Sequence, residues 1–173
     1  TGDGLRTRIG KIRSAVPGIA LRTTLIAGYP AEGEKEFGEL LDFVRETEFD
    51  RLGVFEYSLE DDTTAFGLGD PVPAPEKLRR RMELMEAQKI ISLRKNESKI
   101  GSEVVILVDR AEEDGFAGRT EYDAPEVDNE VCVGKGPGLA VGHFCTVSIV
   151  DAVEYDLFAV VPCGPGPNGG NGS

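Results

Sequence analysis

Polar and small side chains alternate with apolar ones near the start of this 173-residue chain, where residues 18–30 read GIALRTTLIAGYP. In a β-strand successive side chains point to opposite faces, so this segment predicts two different faces. One face carries Arg22, Thr24, Ile26 and Gly28. A guanidinium, a hydroxyl and a glycine on one face could bind a small ligand. The Gly-Tyr-Pro turn that follows would leave backbone groups free at the strand end.

A second strand is predicted at residues 51–58, which read RLGVFEYS and follow a helical segment. Strand, helix and strand in this order indicate two parallel strands, whose carboxyl ends meet at one edge. We therefore expect Phe55 and Tyr57 to lie beside Gly28, and we take this edge as the candidate ligand site.

Each of these residues also has a structural interpretation. Gly28 can serve the turn alone, and Arg22 can pair with a buried carboxylate. Tyr29 and Phe55 can simply fill a core. The spacing assigns no catalytic residue.

No metal site is predicted. Cys132, Cys145 and Cys163 are widely spaced and form no CxxC pattern, so they are interpreted as small apolar strand residues rather than ligands. His143 is the single histidine and has no partner residues nearby, and the acidic run at 60–62 is interpreted as a solvated loop.

The elements that position these residues follow from hydrophobic periodicity. Helices are predicted at 3–15, 32–48 and 75–98, and strands at 19–27 and 51–57. The last helix is expected to pack through Leu78, Met82, Met85 and Ile90, with Arg79, Arg80 and Arg81 on a solvated face. Short strands without intervening helices follow at 104–109, 116–122, 130–133, 144–150 and 157–161, which indicates a small barrel or sandwich.

The predicted fold class is therefore α/β followed by β. Residues 1–98 form an α/β piece and residues 99–161 a β module, with a low-complexity, disordered tail at 162–173. Two parallel strands need further strands and helices to cover both faces, so the α/β piece looks like the last third of a larger barrel. The absence of an initiator Met also suggests a cut into a longer protein.

Charge and hydropathy narrow the possible partners. The net charge of −12 argues against nucleic-acid binding, and no apolar run is long enough to cross a bilayer. Residues 99–161 hold four basic and thirteen acidic residues, a net charge of −9, which favours a basic protein partner. A solvated acidic surface is the alternative. Without a signal segment, a reducing cytoplasm is the expected location.

Several segments resemble the radical S-adenosylmethionine (SAM) methylthiotransferase family, and within it the branch that modifies a ribosomal protein. They are PGIALRTTLIAGYP at 17–30, LDFVRE at 41–46 and FDRLGVF at 49–55, then GRTEYDAPEVD at 118–128 and EYDL at 154–157. The resemblance spans about residues 5–161. It implies the C-terminal part of a partial (β/α) radical SAM barrel, followed by a five-stranded, OB-like TRAM barrel.

The resemblance also implies a function. The full-length parent would be a cytoplasmic enzyme that adds a methylthio group to the β-carbon of an aspartate in the twelfth small-subunit ribosomal protein. It would need SAM and two [4Fe-4S] clusters, whose cysteine ligands are absent from this chain. This chain alone is therefore expected to be inactive. The acidic TRAM domain would contact the basic ribosomal protein.

By the same resemblance, SAM contacts are carried over to six residues: Arg22, Thr24, Ile26, Gly28, Phe55 and Tyr57. The sequence departs from the family at residues 30–33, which read Pro-Ala-Glu-Gly where Pro-Gly-Glu-Thr is usual. This change could alter the turn. Two alternatives remain: a transfer-RNA methylthiotransferase of the same family, and a stand-alone TRAM binding module.

Overall fold

The computed structural model describes residues 2–124 and 128–162, and the chain divides into two compact units, residues 1–92 and 93–173. Most of the low-complexity tail predicted to be disordered, including Cys163, lies outside the described residues. Across the described part of the chain, no helix is both long and apolar enough to span a membrane.

The first unit contains a pair of parallel strands, as predicted. Its elements are α1 (Gly2–Ala15), β1 (Arg22–Ala27), α2 (Glu34–Thr47), β2 (Arg51–Glu56), a 3-10 turn (Phe66–Leu68) and the start of α3 (Ala74–Glu97). The two strands pair in register from Arg22 opposite Arg51 to Ala27 opposite Glu56.

One face of this two-stranded sheet forms the core of the first unit. Alternate strand residues pack there against the apolar side chains of α2 and α3. The buried members are Ala27, Phe37, Val44, Leu52, Val54, Leu84 and Ile91. Leu25 packs beside them, so the predicted division of β1 into an apolar and a polar face is confirmed.

The predicted packing face of α3 was wrong. Leu78, Met82 and Ile90 are 44%, 62% and 63% exposed, and only Met85 packs against the core. The buried positions recur every three or four residues, as on one side of a helix. They are Lys77, Arg80, Leu84, Ala87, Gln88, Ile91 and Ser92. Lys77 and Arg80 interrupt the apolar residues on this side of the helix, so hydrophobic periodicity did not reveal it.

The second unit is a closed five-stranded barrel, as predicted. Its strands are β3 (Glu103–Ala111), β4 (Gly115–Thr120), β5 (Val131–Gly134), β6 (Phe144–Ala152) and β7 (Leu157–Val160). They close in the order β3-β4-β5-β7-β6, and the β5–β7 pair is the parallel one among antiparallel neighbours.

Alternate strand residues fill the barrel. The buried residues are Ile106, Val108, Val131, Val133, Val147, Ile149, Ala152, Leu157 and Ala159. Within this unit, the end of α3 is attached by Asn96, which is 1% exposed and donates to the carbonyl oxygens of Val153 and Glu154. Because these donors and acceptors are satisfied, the helix end is fixed to the β6–β7 turn.

Candidate cofactor-binding face

The second face of the two-stranded sheet in the first unit is open. Three cross-strand pairs lie along it: Arg22 with Arg51, Thr24 with Gly53, and Ile26 with Phe55. Ile26 and Phe55 are 54% and 65% exposed at the carboxyl ends of their strands. Of the six predicted site residues, the structure places Arg22, Thr24, Ile26 and Phe55 together on this face.

The chemical character of the side chains on the open face changes from one end of the strands to the other. Residues on one face of a strand are spaced by about 6.6 Å, so Arg22 and Ile26 are separated by roughly 13 Å. An apolar pair lies at one end, a hydroxyl in the middle and a guanidinium at the other end. Gly53 has no side chain to cover the middle of the face, and a Cβ added there would be in ordinary contact, at 3.8 Å, with both Thr24 Oγ1 and Phe55 Cε2. Such a strip suits an elongated ligand with one aromatic end.

Gly28 shapes the strand end rather than presenting a free donor. Its φ of +79° is in the left-handed region, which favours glycine. Its N–H donates to Glu32 Oε1 at 2.9 Å, and the N–H of Glu32 donates to the carbonyl of Tyr29 at 2.8 Å. The amide of Gly28 is therefore not one of the backbone groups that this turn could leave free for a ligand.

A buried ion network fixes Glu32 in turn. Arg80, with its side chain 5% exposed, donates Nη1 to Glu32 Oε1 at 2.8 Å and to the Glu32 carbonyl at 2.7 Å. Its Nε donates to Glu76 Oε1 at 2.7 Å. The prediction that Arg80 is solvated was wrong, because one of the carboxylates that pair with it, Glu32, lies 48 positions earlier in the chain.

The same network perturbs Glu76. Hydrogen bonds from Arg79, and then from Arg80, lower the pKa of Glu76 to about 2. These bonds favour the charged carboxylate. For Arg80, burial lowers the pKa of the guanidinium, but hydrogen bonds to Glu32, Glu76 and Glu34 outweigh it and the pKa is raised. Glu76 and Arg80 are therefore both charged at neutral pH.

Lys77 is a second residue that sequence reasoning missed. Its Nζ donates to the Tyr57 carbonyl at 2.8 Å and to Asp70 Oδ2 at 2.6 Å. Its aliphatic stem fills the space beside Gly28, where an added Cβ would lie 2.5 Å from Lys77 Cγ. Lys77 thus joins the ends of both strands. Its spacing from Leu84 and Ile91, on the buried side of α3, was the available signal.

Tyr57 is buried, in contrast to the exposed residues of the open face. It is 8% exposed, and its ring packs edge-on against Tyr29 with centroids 5.6 Å apart. Gly28 is also buried. These two predicted site residues help to hold the strand ends in place. Their contact with a ligand stays a prediction.

The family departure at residues 30–33 affects the start of α2. Gly33 is the N-cap of that helix, and its N–H donates to Glu36 Oε2 at 3.1 Å. Because Gly33 has no side chain, it accepts no capping hydrogen bond from the first turn of α2. The turn at Gly28 is held by Glu32, which the departure leaves in place.

The two cysteines that the structure describes do not fit a [4Fe-4S] cluster. Cys132 and Cys145 are free thiols on β5 and β6. Burial raises the pKa of Cys132, as do the nearby carboxylates of Asp156, Glu112 and Glu130. Cluster ligands must be thiolates. Within residues 2–124 and 128–162, no group of three or more His, Cys, Asp or Glu side chains is placed to hold a metal ion.

Known proteins match both units. Residues 100–161 match the TRAM domain family, so the barrel is a TRAM domain. The chain as a whole is similar to ribosomal protein uS12 methylthiotransferases called RimO. The protein from Cytophaga hutchinsonii is 49% identical over 88% of this chain, and that from Chloroherpeton thalassium 50% identical over 87%. That from Chlorobium limicola is 52% identical over 86%.

These matches confirm the resemblance to the methylthiotransferases and place this chain against their C-terminal part. The chain spans about a third of the length of these relatives, since it covers 35%, 36% and 35% of them.

Proposed function

We propose that this chain is the C-terminal part of a cytoplasmic uS12 methylthiotransferase. Its first unit would supply the last two strands of a radical SAM barrel, and its TRAM domain would bind the ribosomal protein substrate. The observation that carries this proposal is that about half of the residues are identical to relatives of that name over 88% and 86% of this chain, a span that includes parts of both units. The parent would add a methylthio group to the β-carbon of an aspartate of uS12.

We propose that SAM lies along the open face of β1 and β2, with its adenine at the apolar end and its methionine carboxylate at the Arg22 end. Ile26 and Phe55 would contact the adenine, because exposed apolar and aromatic side chains stack on a base. The Thr24 hydroxyl would bind a ribose hydroxyl, and Arg22 would pair with the carboxylate of the methionine part. SAM supplies the carbon radical that such enzymes use, and the chain's own role is to bind and orient it.

Gly28 and Tyr57 would act behind this face. Lys77 and the Glu32–Arg80 pair hold both strand ends in place, so Ile26 and Phe55 keep their spacing when a ligand binds. No residue of this chain is proposed to carry out a catalytic step. The two [4Fe-4S] clusters do not fit the described thiols, and we propose that other parts of the parent hold them. This chain alone would then be inactive.

The acidic barrel supports a protein partner. Residues 99–161 carry a net charge of −9, which repels phosphates and attracts a basic ribosomal protein. The same charge argues against the two alternatives that involve RNA, a transfer-RNA methylthiotransferase and an RNA-binding TRAM module.

A chimera tests the proposal. This chain would replace the matching C-terminal third of the Cytophaga hutchinsonii enzyme, and uS12 would be analysed by mass spectrometry after reconstitution with iron and sulfide. We expect methylthiolated uS12 and unmodified transfer RNA. Modified transfer RNA with unmodified uS12 would assign the chain to the sister branch. An inactive chimera that still binds SAM and uS12 would reject the enzymatic role.

A further inference from the structure

The outer surface of the TRAM barrel carries a cavity of about 750 Å³ that the proposed function does not explain. Its apolar lining comes from three places in the barrel: β3 provides Val105 and Leu107, β6 provides Phe144, and the segment after β4 provides Tyr122. We name this surface, defined by these four residues, the aromatic groove.

The aromatic groove is apolar and exposed. Phe144 is 75% exposed, and Val105 and Tyr122 are 56% and 50% exposed. Leu107 of β3 pairs with Phe144 of β6 on one side. On the other side it pairs with Arg119 of β4. Exposed apolar side chains that form a contiguous patch mark an interaction site rather than ordinary surface.

Several carboxylates lie in or beside the groove. The outward-facing residues of β3 are, in order, Glu103, Val105, Leu107 and Asp109. Glu121 and Asp123 also line the groove, as do two cations, Lys99 and Arg119, and Arg119 forms an ion pair with Asp109. The pattern is therefore acidic, apolar, apolar, acidic, within a domain of net charge −9.

We propose that the aromatic groove binds a segment of a basic protein in which apolar side chains lie between lysines or arginines. The apolar side chains would pack on Phe144 and Val105, and the flanking cations would meet Glu103 and Glu121. Tyr122 and Phe144 could stack on bases, but the surrounding charge opposes a phosphate backbone. The inference deepens the proposed function and rests on it for the identity of the partner as uS12.

The test measures binding of the whole chain to recombinant uS12 and to a fluorescent peptide of sequence Lys-Arg-Leu-Phe-Lys-Arg. A peptide with Gln in place of every cation and a single-stranded RNA hexamer are the comparison probes. We expect Phe144→Ser to weaken binding to uS12 and to the basic peptide at least about fivefold, as for truncation of an interface anchor. Glu103→Gln should reduce the salt dependence of both affinities.

Val160→Ser is the matched control, because Val160 is 45% exposed on β7 and does not line the groove. It should leave binding unchanged, and all variants should melt like the wild type since the altered side chains are exposed. Equal affinities of the Phe144 and Val160 variants would overturn the proposal. So would tighter binding of RNA than of the basic peptide, or no binding of wild-type chain to either protein probe.

The two proposals can fail separately. An active chimera that is insensitive to Phe144→Ser would reject the groove and retain the methylthiotransferase function. If the peptide binds through the groove but the chimera is inactive, the groove is retained and the methylthiotransferase function is rejected.

Discussion

At the scale of single residues, the strand end depends on Gly28 for two independent reasons. Its backbone is left-handed, and the stem of Lys77 occupies the position that a Cβ would take. Gly18 has nearly the same φ, +78°, but a Cβ added at Gly18 would meet no atom within 4 Å beyond its chain neighbours. The pair therefore separates the effect of the backbone conformation from that of the steric contact.

We predict that Gly28→Ala lowers the free energy of unfolding of the first unit by about 2–3 kcal/mol, and Gly18→Ala by about 1 kcal/mol. Chemical denaturation followed by far-ultraviolet circular dichroism measures both, since the helical signal comes chiefly from this unit. Equal losses in the two variants would show that Lys77 does not restrict the site.

Some residue roles could be derived from the sequence and others could not. Strand alternation correctly placed Arg22, Thr24 and Ile26 on the open face, because that rule is local. The pairing of Arg80 with Glu32 is not local, and no periodicity reveals it. Tyr57 follows the last residue of β2, where alternation no longer determines which way a side chain points.

At the scale of elements, α3 is stabilised by charge as well as by apolar burial. The lowered pKa of Glu76 is caused first by its bond to Arg79. A carboxyl whose pKa is lower in the folded state adds stability above its ordinary pKa and loses it as the pH falls. The contribution of Glu76 is therefore present at neutral pH and disappears between about pH 4.5 and about pH 2.

We predict that Glu76→Gln lowers the melting temperature of the first unit at pH 7, and that the difference from wild type shrinks towards pH 2. The exposed Glu86 lies on the same helix, and Glu86→Gln is the control. Thermal melts over this pH range measure the effect. A Glu76→Gln difference that does not change with pH would contradict the role of the carboxylate charge.

The start of α2 offers a second test at this scale. Gly33 has an extended backbone, with φ −85° and ψ −177°, which threonine adopts without strain. With Glu36 three positions later, Gly33→Thr would complete a capping box. We predict a gain of about 0.5 kcal/mol for Gly33→Thr and a loss for Gly33→Ala, which lacks the hydroxyl. Similar melting temperatures for the two variants would contradict this.

The elements themselves were predicted closely. Observed bounds fall within about three residues of the predictions, because apolar periodicity and the Gly and Pro turns set them locally. The packing face of α3 was missed because the core there accepts Lys77 and Arg80, whose stems are apolar while their charges are paired.

At the scale of the whole molecule, each unit displays one surface that its own core does not use. In the first unit it is the open face with Ile26 and Phe55, and in the second it is the aromatic groove with Phe144. The barrel was predictable because it closes on itself from local strands. Spacing alone predicted no particular ligand for the open face, and the proposal that it binds SAM comes from the resemblance to the methylthiotransferases.

The most direct test of the account is SAM binding to the reconstituted chimera by equilibrium dialysis, with and without changes on the open face. We predict that Phe55→Ser and Ile26→Ser each weaken SAM binding at least about fivefold, the size of a lost base-stacking contact. Met82→Ser, an exposed apolar change on α3, should leave it unaltered. Equal SAM affinity in all three variants and the wild type would contradict the assignment of the open face to the cofactor.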